Sequence, residues 1–253
     1  MAARSFLGAG DIFVDRQIDG ISVGLIGPYK ANKFEISPKV SSVESTSKGR
    51  YDFGQVLETV NLPQPTEFTL ELKEITGDVL VMAFLGTSAA LNQVSGTLTN
   101  QLVAVSKKGT WLEIGKKNLA ATGIVVKNEA GVTTYVEGVD YELNRPMGWI
   151  RILAASAIAV AANVSISGGY RAATGSVISG STRTEIRARL VFDGINQADG
   201  TQCTVDVREA VLSADSAFDF LADDFGNVTL TGKLKTPVGK AEPYTVTVQD
   251  PVV

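Results

Sequence analysis

The chain has 253 residues, a formal net charge of −4, no histidine and one cysteine, Cys203. Its 44% hydrophobic and 20% charged residues are an ordinary globular composition, with material for a sizeable core. The missing histidines exclude Ser-His-Asp and Cys-His nucleophiles and histidine metal sites; the single cysteine excludes an intrachain disulfide and multi-cysteine zinc; the acidic balance provides no global basic field for nucleic acid or anionic membrane.

Met1 to Leu7 carries one positive charge and no apolar run, so no secretory leader is expected. No stretch approaches the roughly 18 apolar residues of a membrane helix. A soluble chain made in a reducing cytoplasm is expected, with Cys203 as a small buried filler. The first clear strand is Thr66 to Lys73, where Phe68, Leu70 and Leu72 face one way and Glu67, Thr69, Glu71 and Lys73 the other. A short helix is predicted over Gly77 to Leu85, with Thr76 as N-cap, Asp78 in the first turn and Gly86 past its end. Val79, Leu80, Met82, Phe84 and Leu85 go nearly all the way round it, so it is buried in its own core or under a neighbouring subunit.

The middle of the chain reads as hairpins. Ile124 to Lys127 returns through Thr133 to Val136, and Tyr141 to Leu143 through Trp149 to Ile152, each across linkers rich in Gly or Asn. Val164 to Tyr170 closes the set, and the alanine-rich Ala154 to Ala162 suits either a helix or a strand and turn. Four further strands are expected, at Arg183 to Phe192, around Cys203, Val205 and Val207, at Asn227 to Leu234 and at Tyr244 to Gln249. Ser213 to Leu221 is a weaker helical candidate. The whole reads as one mainly β domain over residues 1–253, with a hairpin-rich excursion at about 98–173.

Motifs that carry chemistry fail on spacing. Gly109 to Lys116 has five residues between its glycines instead of the P-loop's four, and Lys117 stands where Ser or Thr would hold magnesium. Gly8-Ala9-Gly10 lacks the third glycine of a dinucleotide fingerprint. Asp193 to Gly200 is interrupted by Ile195 and Gln197 and reads as a hairpin loop, not a calcium loop. No catalytic residue, metal ligand or cofactor is therefore expected.

Taken in order, several segments resemble one family. They are Gly27-Pro28-Tyr29, Lys33 to Pro38, the polar Ser45 to Val60, the Glu67 strand with its following helix, Gly138 to Tyr141 with Gly148-Trp149-Ile150, and Phe192 to Asn196 with Asp199-Gly200. The series resembles the major tail tube protein of long, non-contractile-tailed bacteriophages (siphophages). That resemblance implies a β-sandwich or barrel-like fold with one or two short flanking helices, and homo-hexameric rings stacked into a tube. It also implies tape-measure, tail-tip and tail-terminator partners, transient passage of double-stranded DNA and no membrane partner. The expected location is the virion tail, assembled in the host bacterial cytoplasm. In such tubes each subunit adds four strands to a continuous inner barrel. Six such sheets would close at about 45–50 Å, leaving a lumen of about 35–40 Å, wider than a DNA duplex.

On this resemblance Glu67, Thr69, Glu71 and Lys73 are the candidate lumen face; the alternative is the sheet's outer, solvated side. A long loop at about Ser45 to Pro63 is expected to reach the adjacent ring, with Arg50, Tyr51, Asp52, Phe53, Gln55, Val56 and Leu57 as contacts; alternatively it folds onto its own chain. Arg183, Arg187, Arg189 and Arg208 would make a lumen adhesive to phosphate, so they are expected to pair with Glu185, Asp206 or subunit neighbours. Two other readings stay open: a different β-rich virion or tube component (a contractile-type inner tube or a decoration protein), and an enzyme or ligand-binding β-sandwich.

Overall fold

The computed structural model describes residues 5–213, 218–221 and 225–249. In chain order its elements are β1 (Gly8–Ile18), β2 (Ile21–Ser22), β3 (Ile26–Tyr29), β4 (Ala31–Thr46), β5 (Val56–Leu72), α1 (Gly77–Ala83), β6 (Thr87–Gln93), β7 (Gly96–Ala104), β8 (Trp111–Glu113), β9 (Val125–Asn128), β10 (Thr134–Tyr135), β11 (Tyr141–Asn144), β12 (Trp149–Ile152), β13 (Asn163–Tyr170), β14 (Ala173–Ser179), β15 (Ile186–Asn196), β16 (Gln202–Leu212), β17 (Val228–Leu234) and β18 (Tyr244–Gln249). The protein is mainly β, and its backbone clusters into two compact units, residues 1–88 with 178–253, and residues 89–177.

The first unit is built on a nine-stranded sheet, ordered β2-β1-β15-β16-β17-β5-β4, with β3 beside β1 and β18 beside β16. Its pairings are antiparallel. Alternation works as the sequence predicts: Phe68, Leu70 and Leu72 are buried with Ile186, Ala188, Leu190, Val205, Val207 and Leu230. Phe68 also shields Gly232 on the neighbouring strand, where a Cβ would stand 2.1 Å from the Val211 carbonyl oxygen. An aromatic ring thus covers the one position in β17 that must be glycine. Helix α1 starts where Thr76 accepts a hydrogen bond from the Val79 amide at 3.3 Å. It ends as Leu85 turns to a φ of 45° before Gly86. Val79, Val81, Met82 and Ala83 are buried in the sheet's own core, while Leu80 and Phe84 are half-buried.

The second unit has its own core, including Leu98, Val105, Val126, Ile150, Ile152, Ile158 and Ile166. Sheets ordered β10-β9-β13-β7 and β11-β12-β8 surround it, and the pairings of β9 with β10 and of β11 with β12 are the two hairpins read from the sequence. Strands β6 and β14 pair as a ribbon. The alanine-rich 154–162 is neither helix nor strand; it turns twice, with Ala161 at a φ of 66°, around the buried Ile158. The helical candidate at Ser213 to Leu221 rests on 214–217, outside the described residues.

One element differs in kind from the expectation. The segment from Ser45 to Pro63 is not a long loop. It is the outer half of a hairpin of 16 and 17 residues whose ladder runs from Ala31↔Leu72 to Thr46↔Val56. Only 47–55 is turn. Period-two alternation is weak here because neither face of the ribbon meets a core.

Leu70→Ala should lower unfolding free energy by about 2–5 kcal/mol through the cavity it leaves. Val43→Ala, at an exposed ribbon position, should shift it by about 0.5 kcal/mol or less. Urea unfolding midpoints of the two variants check both.

Candidate assembly surface

Strand β5 touches β17 only over Glu67 to Leu72. Its other half, with the facing half of β4, leaves the sheet as a two-stranded arm. Lys39 to Thr46 is eight residues, about 27 Å of strand at the antiparallel rise. Val40, Val43, Val56, Leu57, Val60 and Leu62 are all exposed along it. The arm therefore does not fold back onto its own chain.

The tip is held by a small hydrogen-bond set. The Ser47 amide donates to the Gln55 carbonyl (2.8 Å), the Gly54 amide to the Ser47 carbonyl (2.9 Å), and the Gly49 amide to the Ser47 hydroxyl (3.0 Å). Gly54 takes a φ of 86° to close the turn. Ser47 is buried at the centre, and Tyr51 and Phe53 are turned out to 93% and 78% exposure. Arg50, Asp52 and Gln55 lie in the same tip and Val56 and Leu57 at the start of β5 beside it, so the candidate contact residues stand together on a preformed feature.

Inside the sheet, the face opposite the core is polar. Cross-strand registers place Glu71 between Lys33 and Thr229, Thr69 between Glu35 and Thr231, and Glu67 between Ser37 and Lys233. Lys73 stands one residue past the end of β5, its amide donating to the Lys30 carbonyl at 2.9 Å. Glu71 accepts from the side-chain amides of Asn227 (2.8 Å) and Asn32 (3.2 Å). Lys39 reaches Glu67 at 3.5 Å, and Lys33 pairs with Glu35. A shallow hollow of about 580 Å³ opens over Glu67, Thr69, Thr231 and Lys233. Charges alternate in sign across this face; among the described residues Lys33 and Lys39 are ion-paired and Lys73 and Lys233 are not.

The arginines of β15 and β16 are held by carboxylates. Arg189 makes a two-pronged contact to Asp206 (2.9 and 2.8 Å), which Arg208 joins at 2.5 Å. Arg187 bridges Glu185 (2.8 Å) and the buried Glu209 (3.0 Å), with Lys235 on the same Glu209 oxygen at 3.3 Å. Arg183 pairs with Asp19 at 2.8 Å. Hydrogen bonds from Arg189 hold the Asp206 carboxyl below its ordinary value, against the opposing effect of burial. Among the described residues no group of three or more His, Cys, Asp or Glu has the geometry of a metal site, and no helix is long and apolar enough to cross a membrane.

The sequence reading did not single out a second exposed apolar surface at the far end of the sheet. Ile18, Ile21, Val23, Leu25 and Ile26 are exposed there within nine residues. The available signal was a dense aliphatic run, Ile18 to Ile26, broken only by Asp19, Gly20, Ser22 and Gly24.

Asp206→Asn should destabilise the fold at pH 7 by about 1–2 kcal/mol, the lower part of the range for charged hydrogen bonds because Arg189 is 40% exposed. The Asp206 pKa is lowered on folding, so its contribution is full above the unfolded value of about 3.9 and fades as pH falls through the folded one. The gap between wild type and variant should therefore narrow below about pH 4, read as denaturant midpoints across pH.

A family model described as protein of unknown function UCP028589 matches residues 5–242. No curated protein matches the chain.

Proposed function

We propose that this chain, which belongs to the UCP028589 family of unknown function, is a self-assembling structural subunit of a phage tail tube. In this reading, hexameric rings stack into a hollow tube through which double-stranded DNA passes. The observation that carries the reading is the β4–β5 arm. An isolated two-stranded ribbon is marginal in water, and an exposed ribbon about 27 Å long with six uncovered aliphatics is an aggregation hazard unless another chain covers it. A subunit whose ordinary state is assembled removes both problems. The preformed tip, with Tyr51 and Phe53 turned outward, has the aromatic character of an interface anchor.

The polar face supports the second half of the reading. A conduit for DNA must not grip phosphate, since each cationic contact adds counterion-release affinity and retards sliding. Glu67, Thr69, Glu71, Glu35 and the paired Lys33 and Lys39 would make such a wall, with Lys73 and Lys233 its only lysines without an ion pair among the described residues, and Arg187 and Arg189, farther along the sheet on β15, are neutralised within the subunit. Closing the sheet edges in a ring would also satisfy the outer edge of β4.

Negative-stain electron microscopy of the purified chain over a concentration series tests this directly. Rings or hollow tubes are expected; a strict monomer at every concentration argues against it. Replacing residues 41–62 by Asn-Gly, a two-residue hairpin turn, should leave a folded subunit with unchanged thermal midpoint and no tubes. Changing Glu67 and Glu71 to lysine should leave tubes intact and slow DNA ejection, measured as dye release from virions; unchanged kinetics would remove this face from the lumen.

A further inference from the structure

Neither of the chain's two tryptophans lies in a hydrophobic core. Both stand on the outer face of the three-stranded sheet β11-β12-β8 in the second unit. Its registers set Glu142, Arg151 and Trp111 side by side in one row, and Asn144, Trp149 and Glu113 in the next. The alternate residues Tyr141, Ile150 and Ile152 are buried, with Leu112 and Leu143 packed on the same core, so the first six point away from it. Trp111 is 40% exposed and Glu113 is exposed; the other four are half-buried. Two indoles on one small outer face are a poor use of the largest apolar side chains unless a ligand lies on them. The face is also braced. Arg151 pairs with Glu142 and lays its guanidinium over the Trp111 ring, 5.0 Å from the centroid, with its Nε buried and without a hydrogen-bond acceptor. In the other row the Asn144 side-chain oxygen accepts from the Met147 amide at 3.2 Å. Among the described residues the Asn144 NH2 group has no partner and Glu113 forms no ion pair.

We propose that this face binds a neutral saccharide, with sugar rings laid on Trp149 and Trp111 and hydroxyls taken by Glu113, Asn144 and the Arg151–Glu142 pair. The C–H bonds on the flat side of a sugar ring carry partial positive charge and suit the negative face of an indole. Hydroxyls donate and accept at once, and suit a carboxylate that stands beside an amide donor. Charge decides against the other flat ligand, a nucleobase on a phosphate chain. The three strands carry two outward carboxylates against one guanidinium, and that guanidinium is already paired, so phosphate finds no free cation on them. With four of the six side chains polar, the face is also no match for an apolar protein surface. A flat, open sheet suits an extended β-1,4-linked chain, at a dissociation constant of about 1 mM. A single subunit suffices for this binding; repetition of the site on a tube would add avidity.

Because both tryptophans stand here, the tryptophan emission of the whole chain reads this face alone. The purified chain is titrated with cellohexaose and, separately, with chitohexaose, and a saturable change in emission with at least one of them is expected at about millimolar concentration. By calorimetry Trp149→Ala should weaken binding about tenfold or more, and Trp149→Phe, which keeps a ring, should recover most of it. Glu113→Ala, at an exposed position that removes no packing, should weaken it about fivefold. Thermal unfolding confirms that each variant is folded. No saturable change with either sugar up to about 10 mM, equal affinity for adenosine monophosphate, or folded variants that bind as wild type does overturn the saccharide site. Loss of self-association in the folded Trp149→Ala chain, without sugar binding by wild type, overturns it too and assigns the face to contact between copies. The assembly reading is tested separately, by whether the wild-type chain forms rings or tubes without sugar.

Discussion

The ladder between β4 and β5 runs from a buried core to open solvent along one continuous pairing, and most of the molecule is organised around that asymmetry. At its inner end Phe34, Leu70 and Leu72 lie on or against the core, and hydrophobic burial fixes the register: a slip of one residue would turn them to the polar side. At its outer end nothing is buried, and beyond a one-residue register shift at Ser37/Lys39 the ladder continues by hydrogen bonding alone. The irregularity at Ser37/Lys39 marks where the constraint changes; two others, at Ala31/Lys33 and Ser45/Thr46, lie at the two ends of the ladder. The inner half anchors a ribbon that its own residues would not stabilise.

The charge pattern follows from the same geometry. A sheet with one buried face must put its polar residues on the other, and neighbouring strands then bring opposite charges into cross-strand contact. Arg189 with Asp206, and Arg187 with Glu209, are such pairs, separated by 17 and 22 residues in sequence. Their effect is local neutrality. A chain with 23 basic and 27 acidic residues shows a face of alternating sign across β4, β5 and β17.

How much was legible in the sequence depended on whether a residue had a core to answer to. Thr66 to Lys73 could be read because Phe68, Leu70 and Leu72 alternate with polar neighbours, and that alternation is the physical consequence of a half-buried strand. Helix α1 could be read because Thr76 caps it and Gly86 follows it. The arm could not be read as a hairpin: Lys39 to Thr46 and Val56 to Gln64 face water on both sides, so no period marks them, and only the observed pairing shows that they are strands. The Ile18 to Ile26 patch was hidden for the converse reason. An aliphatic run looks like core material in sequence, and only its place outside β1 exposes it.

The amino-acid sequence by itself determined the class of this protein: the absence of histidine and the lone Cys203 exclude chemistry that depends on histidine or paired cysteines, and the recurrent period-two strands require a β fold, because these are properties of composition and local backbone preference. The tertiary structure alone decided which strands are neighbours, which arginine meets which carboxylate, and which apolar residues remain outside. Those outcomes depend on contacts between residues far apart in the chain, such as Gly8 with Asn196 or Lys33 with Glu71. No local pattern encodes them; they come from the burial of one sheet face as a whole.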